Sequence, residues 1–194
     1  NGQYFKKENT SCIIIQDHPD LEHENMTIES WINLDTFDSN SDYITKYDDS
    51  GGGYILTYES TTNKFMSQIW NSSNKYELKS NNMFIDDQWY YSTLSYGRDG
   101  YFMNINGNIE NKGIPAFGIG TNSDNLIFGA NFKNYNNNFD GTLDEVLIFN
   151  RSLTPEQVLN IYNNKTYELS FNETSAGDNW SACITPNDGE EDGP

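Results

Sequence analysis

At 194 residues the chain is long enough for one domain with a sizeable core and a short appendage. Twenty-nine acidic against eleven basic residues leave a formal charge of −18, which argues against nucleic acid and anionic membranes as partners, since no Lys/Arg cluster offsets the repulsion. With 14% aromatic and only 21% charged residues, the chain is not a disordered acidic one. A well-solvated acidic surface accounts for the charge; a halophilic source or a set of cation sites would give the same balance.

The opening "NGQYFKKENT" lacks the apolar stretch of a signal peptide, and both ends read as the cut ends of an excerpt from a longer, multidomain chain. Apolar runs are no longer than "CIII" and "VLIF", so membrane insertion is not expected. Short alternating segments then follow one another. "CIIIQ" (12–16) precedes "TIESWINL" (27–34), where Ile28, Ser30 and Ile32 oppose Thr27, Glu29, Trp31 and Asn33. "DYITKY" (42–47), "GGYILTYES" (52–60), "KFMSQIW" (64–70) and "KYELKS" (75–80) continue the series, and "QWYYSTLSY" (88–96) leads into "YFMNIN" (101–106). Asn106-Gly107 predicts a two-residue hairpin turn, whose central residues both need positive φ. "NLIFGA" (125–130) and "GTLDEVLIFN" (141–150) complete about ten short strands, the count of a β-sandwich or barrel.

One helix is predicted behind the last strand. Thr154 can cap it, Pro155 suits its first position, and Gln157 completes a capping box. Val158, Ile161 and Tyr162 form its apolar stripe, and "NNK" (163–165) ends it. From residue 164 the pattern becomes turn-rich and acidic, so the division is a domain over 1–163 and a tail over 164–194.

The strand Gly141-Thr-Leu143-Asp144-Glu145-Val146, followed by "FNRSLTPEQVLNIY", resembles the close of laminin-G-like domains in the concanavalin A-like group. "MTIESWINL", "DDQWYYSTLSY", "YFMNINGN" and "DNLIFGA" resemble that family's earlier strands, in the right order. The resemblance implies an all-β, antiparallel two-sheet jelly-roll β-sandwich with one short C-terminal helix, which would cover a sheet edge. It also implies core positions for Trp31 and Trp89. The tail, "GDNWSACITPNDGEEDGP", resembles the late strands of an immunoglobulin-like module.

Catalysis is not expected. Glucanases of this fold carry Glu-x-Asp-x-x-Glu on one strand, whereas here only Asp144-Glu145 is available, and adjacent strand residues point to opposite faces. His18 and His23 lie in a polar segment without a nucleophile pattern. Calcium is the one candidate cofactor, as a structural ion. "NNNFDG" offers Asn136, Asn138 and Asp140 with Asp144 or Glu145 assisting, but its twelfth EF-hand position is Leu147. "KYDDSGGG" offers Asp48 and Asp49; for both loops the competing reading is a solvated turn.

Sugar recognition uses exposed aromatics flanked by amides and carboxylates. The candidates are Tyr135 with Asn134 and Asn136 in "NFKNYNNN", together with Tyr54, Tyr58, Trp70 and Tyr90. Cys12 and Cys183 either bridge tail to sandwich or pair outside the chain. Seven Asn-x-Ser/Thr triplets only slightly exceed the roughly four or five expected by chance. The expectation is therefore an extracellular or cell-surface recognition and adhesion module that binds a glycan or a cell-surface protein. A structural spacer or protein–protein interaction domain is the alternative.

Overall fold

The computed structural model describes residues 2–9, 11–36, 39–97, 100–131 and 137–164. Two six-stranded sheets form a sandwich, as the family resemblance implies. Sheet I runs, in spatial order, β1 (Gln3–Phe5), β12 (Gly141–Phe149), β3 (Met26–Leu34), β8 (Trp89–Gly97), β9 (Gly100–Ile105) and β10 (Asn108–Gly113). Sheet II runs β2 (Ile13–Ile15), β11 (Leu126–Phe128), β4 (Ser41–Asp48), β5 (Gly52–Glu59), β6 (Lys64–Asn71) and β7 (Lys75–Lys79). Every pairing is antiparallel. Asn106 and Gly107 carry φ of 52° and 76°, so the β9–β10 hairpin turns where the sequence predicts.

The core between the sheets takes Ile28 and Ile32 from sheet I and Tyr43, Leu56, Phe65 and Ile69 from sheet II. Burying so many tyrosines requires partners for their hydroxyls. Tyr43 Oη lies 2.9 Å from Ser92 Oγ across the sandwich, Tyr54 Oη donates to the Leu21 carbonyl at 3.2 Å, and Tyr96 Oη donates to the Phe117 carbonyl at 3.1 Å. Lys46 also points inward, because its strand partner is the core residue Tyr54. Its side chain is fully buried, and Nζ donates to Asp17 Oδ1 at 2.7 Å and the Asp124 carbonyl at 2.8 Å, with Glu22 Oε1 at 3.1 Å. This ammonium ties the segment before β3 to the one before β11.

Helix α1 (Pro155–Tyr162) begins as predicted: Gln157 N donates to Thr154 Oγ1 at 3.3 Å, and Thr154 N donates to Gln157 Oε1 at 2.8 Å. It touches the edge strand β10, but the last strand is not itself an edge. β12 lies inside sheet I, between β1 and β3, and α1 lies across the outer face of that sheet. Val158 and Leu153 are buried there with Tyr91, and Trp31, Phe102, Phe149, Ile161 and Tyr162 pack around them. The helix is short, so its tertiary contacts and cap outweigh its own propensity. Thr154→Ala should cost about 1 kcal/mol, read as a lower urea midpoint with an unchanged slope.

Candidate functional site

Strand alternation places Trp31 on the outer face of sheet I, opposite to core-facing Ile28 and Ile32. Trp89 opens β8 and pairs with Asn33, two residues from Trp31 along β3, so the two indoles are diagonal neighbours on one face. Trp89 is 42% exposed and Trp31 half-buried, which corrects the expectation of core positions for both.

On the other side of Trp31, β12 departs from regular pairing. Asp144 pairs with Trp31 and Leu147 with Glu29, so Glu145 and Val146 together stand opposite the single residue Ser30. This is a β-bulge, and Glu145 takes φ of 47°, in the left-handed region. Asp144 Oδ1 accepts from the Glu145 N–H at 2.9 Å and so closes the bulge. Regular alternation would send the two carboxylates to opposite faces; instead both line one open cleft of about 490 Å³ with Trp31 and Trp89.

The cleft rests on a packed base. Trp31 stacks on Tyr162 of α1, ring centroids 5.7 Å apart at 29°, and meets Tyr91 at 5.3 Å. Tyr91 Oη donates to the carboxylate of buried Glu29. Burial pushes the Glu29 pKa up, and the negative charge of Glu145 adds to this, while the Tyr91 hydrogen bond opposes it. Burial and the same hydrogen bond push the Tyr91 phenol up. Helix, tyrosine and glutamate thereby hold the Trp31 ring in one orientation, which reduces the entropy lost on binding. Two indole faces offer stacking surface, and two carboxylates beside them accept hydrogen bonds from hydroxyl or amino groups.

The other candidates fall elsewhere. Tyr58 is fully buried in the core, with its hydroxyl on Asn63 Oδ1 at 2.9 Å, so its ring cannot stack on a sugar. It faces inward because β5 alternates Tyr54, Leu56 and Tyr58 into the sandwich. Trp70 lies on the outer face of sheet II beside Tyr47 (5.0 Å), with Lys75 Nζ 5.3 Å from its ring centroid. Asp48 accepts from the N–H groups of Ser50 (2.8 Å), Gly51 and Gly52 (3.3 Å) and from Ser50 Oγ (3.0 Å). Partial burial would raise its pKa, but those donors outweigh it and hold the carboxyl below the usual range. Asp48 therefore closes a turn, the competing reading for this loop, while Asp49 accepts from Tyr47 Oη at 3.3 Å.

Asn138 Oδ1 and Asp140 Oδ1 are buried without a hydrogen-bond partner among the described residues. Asp144 and Glu145 face the tryptophan cleft, and no three described carboxylate, histidine or cysteine side chains converge as a metal site. Tyr135, Asn134, Asn136, Cys183 and the tail from residue 165 lie outside the described residues. Among the described residues on either side, Asn131 Nδ2 and Asn137 Nδ2 donate to Asp42 Oδ2 at 2.7 and 3.1 Å. Burial raises the pKa of Asp42 against those bonds and one from Thr57. No described helix is long and apolar enough to cross a membrane.

A family model described as the concanavalin A-like lectin/glucanases superfamily matches residues 7–159. Among solved structures, the chain is similar to a candidate carbohydrate-binding protein from Bacteroides ovatus, with 17% identity and a TM-score of 0.65 over 81% of this chain and 45% of that one. It is also similar to the ligand-binding domain of botulinum neurotoxin serotype D in complex with N-acetylneuraminic acid, with 15% identity and a TM-score of 0.63 over 80% and 40% of the two chains. A heptameric SAP-like pentraxin from Limulus polyphemus shares 12% identity and a TM-score of 0.56 over 78% and 80%. The chain thus spans less than half the length of the first two. No curated protein sequence matches it.

Proposed function

The chain belongs to the concanavalin A-like lectin/glucanases superfamily, and from that membership we propose that it is a non-catalytic glycan-binding module of a larger surface or secreted protein. The observation that carries this reading is the cleft on sheet I, where Trp31 and an exposed Trp89 lie beside Asp144 and Glu145. The candidate carbohydrate-binding protein and the neurotoxin's ligand-binding domain among the structural neighbours support the same reading. Glycosidase chemistry requires two carboxyl groups flanking the scissile bond, about 5–9.5 Å apart. Asp144 and Glu145 are consecutive residues on one side of the cleft, and Glu29, the carboxyl held towards its neutral form, lies buried beneath the aromatic layer.

Trp89→Ala should weaken binding of any oligosaccharide found on a glycan array by about tenfold or more, because it removes one stacking face worth roughly 1–2 kcal/mol. Its melting temperature should stay close to the parent's, since the ring is exposed and outside both buried clusters. Unchanged affinity would remove this cleft from the reading.

A structural calcium forms part of the proposal. A buried carboxylate oxygen without a donor is unfavourable, and the orphaned oxygens of Asn138 and Asp140 suit an oxygen-seeking cation. Millimolar calcium should raise the melting temperature and a chelator lower it, because an ion bound only by the folded state adds stability. Asp140→Ala should shrink that shift, while Asp20→Ala, at an exposed site, should leave it intact. Identical melting curves with calcium and chelator would remove the metal.

A second reading, protein–protein interaction, is favoured by β2. Its three isoleucines, 38%, 47% and 38% exposed, lie on a strand that, among the described residues, forms an edge beside β11.

A further inference from the structure

We propose that the tryptophan cleft selects glycans carrying free amino groups, hexosamines protonated at mildly acidic to neutral pH, over neutral and acidic sugars. This inference rests on the glycan reading of the same cleft and adds the charge of its ligand. The lining consists of two indoles and two carboxylates, with no lysine, arginine or histidine among the described residues that form it. An ammonium over an indole face is attracted by the negative face of the ring, and a neighbouring carboxylate adds an ion pair. Sheet II shows the same chemistry satisfied internally: Lys75 supplies the cation over Trp70. The described lining of the sheet I cleft includes no cation, and there the ligand would supply one over the indoles.

Two longer-range features act in the same direction. The stack of Tyr162 on Trp31 places the C-terminal turn of α1 beside the cleft, and that turn contains no basic residue. The carbonyl end of a helix carries partial negative charge, which favours a cation nearby. The net charge of −18 adds an attractive field for cations and a repulsive one for uronic or sialic acids. Glu145 itself is presented to the cleft by the bulge, so the acidic lining follows from the register of β12 against β3.

The test is calorimetric titration of the 194-residue chain with the β-1,4 glucosamine disaccharide, its N,N′-diacetylated form and the galacturonic acid disaccharide. The free-amine sugar should bind about tenfold tighter than the acetylated one, with that gap narrowing in high salt, and the acidic sugar should bind most weakly. The double change Asp144→Asn with Glu145→Gln should close the gap. A control double change, Glu8→Gln with Asp20→Asn, removes the same charge from exposed positions and should keep it. Equal affinity for the amine and acetylated sugars overturns the inference, as does a gap that survives in the cleft variant or disappears in the control. In any of these cases the glycan reading stands if Trp89→Ala still weakens binding about tenfold or more. Failure of the parent chain to bind any of these sugars overturns the inference; failure across a full glycan array overturns the glycan reading as well.

Discussion

Lys46→Met should lower the stability of the domain by about 3–5 kcal/mol, the largest effect expected of any single side chain here. Methionine fills nearly the same volume, so the loss isolates the charge. The Lys46 ammonium is fully buried, donates to Asp17 and the Asp124 carbonyl, and lies 3.1 Å from Glu22 Oε1. Removing it leaves Glu22, whose side chain is only 10% exposed, facing Asp17 without a cation. It also releases two segments that Lys46 bridges to β4. Urea denaturation followed by tryptophan fluorescence measures the change. A loss under 1 kcal/mol would mean that water replaces the ammonium at little cost.

Gly141→Ala should cost at least about 2–3 kcal/mol, and it acts through the backbone. Gly141 has φ of 151° and begins β12 opposite Leu34. A Cβ there would lie 2.0 Å from the Asn33 carbonyl oxygen, a backbone atom held in the sheet. No rotamer change relieves such a clash, so β12 or β3 must move at the pairing that begins the strand carrying Asp144 and Glu145. Denaturant unfolding should show the loss, and sugar affinity should fall with it, because the register of the bulge depends on that pairing. Gly107→Ala is the instructive comparison: its Cβ would meet the Leu159 and Tyr162 side chains rather than backbone, so its cost comes mainly from the φ of 76°.

The sequence by itself determined the elements of this protein. Alternation in "TIESWINL" and its neighbours separates two faces of each strand, because side chains on a strand project with a period of two. Asn106-Gly107 specifies its turn because both residues tolerate positive φ, and the Thr154–Gln157 box starts its helix from local hydrogen bonds alone. These are short-range interactions, visible to anyone who reads a few residues at a time. Alternation even set Trp31 apart from Ile28 and Ile32; only the family resemblance suggested a core position for it.

Only the tertiary structure decided which face is inside and where the period breaks. β4 and β5 carry large apolar or amphipathic groups on both faces, so nothing local assigns Tyr58 and Lys46 to the interior. That assignment comes from the opposing sheet and from carboxylates more than twenty residues away. The bulge at Glu145 is likewise a relation between strands: "GTLDEVLIF" looks regular until its register against β3 places two residues opposite one. Trp89, at the mouth of β8, is exposed because α1 covers Tyr91 and leaves the start of the strand open. Helix, bulge and two tryptophans meet only once the chain has folded, and for that reason the candidate site was less legible in the sequence than the strands that carry it.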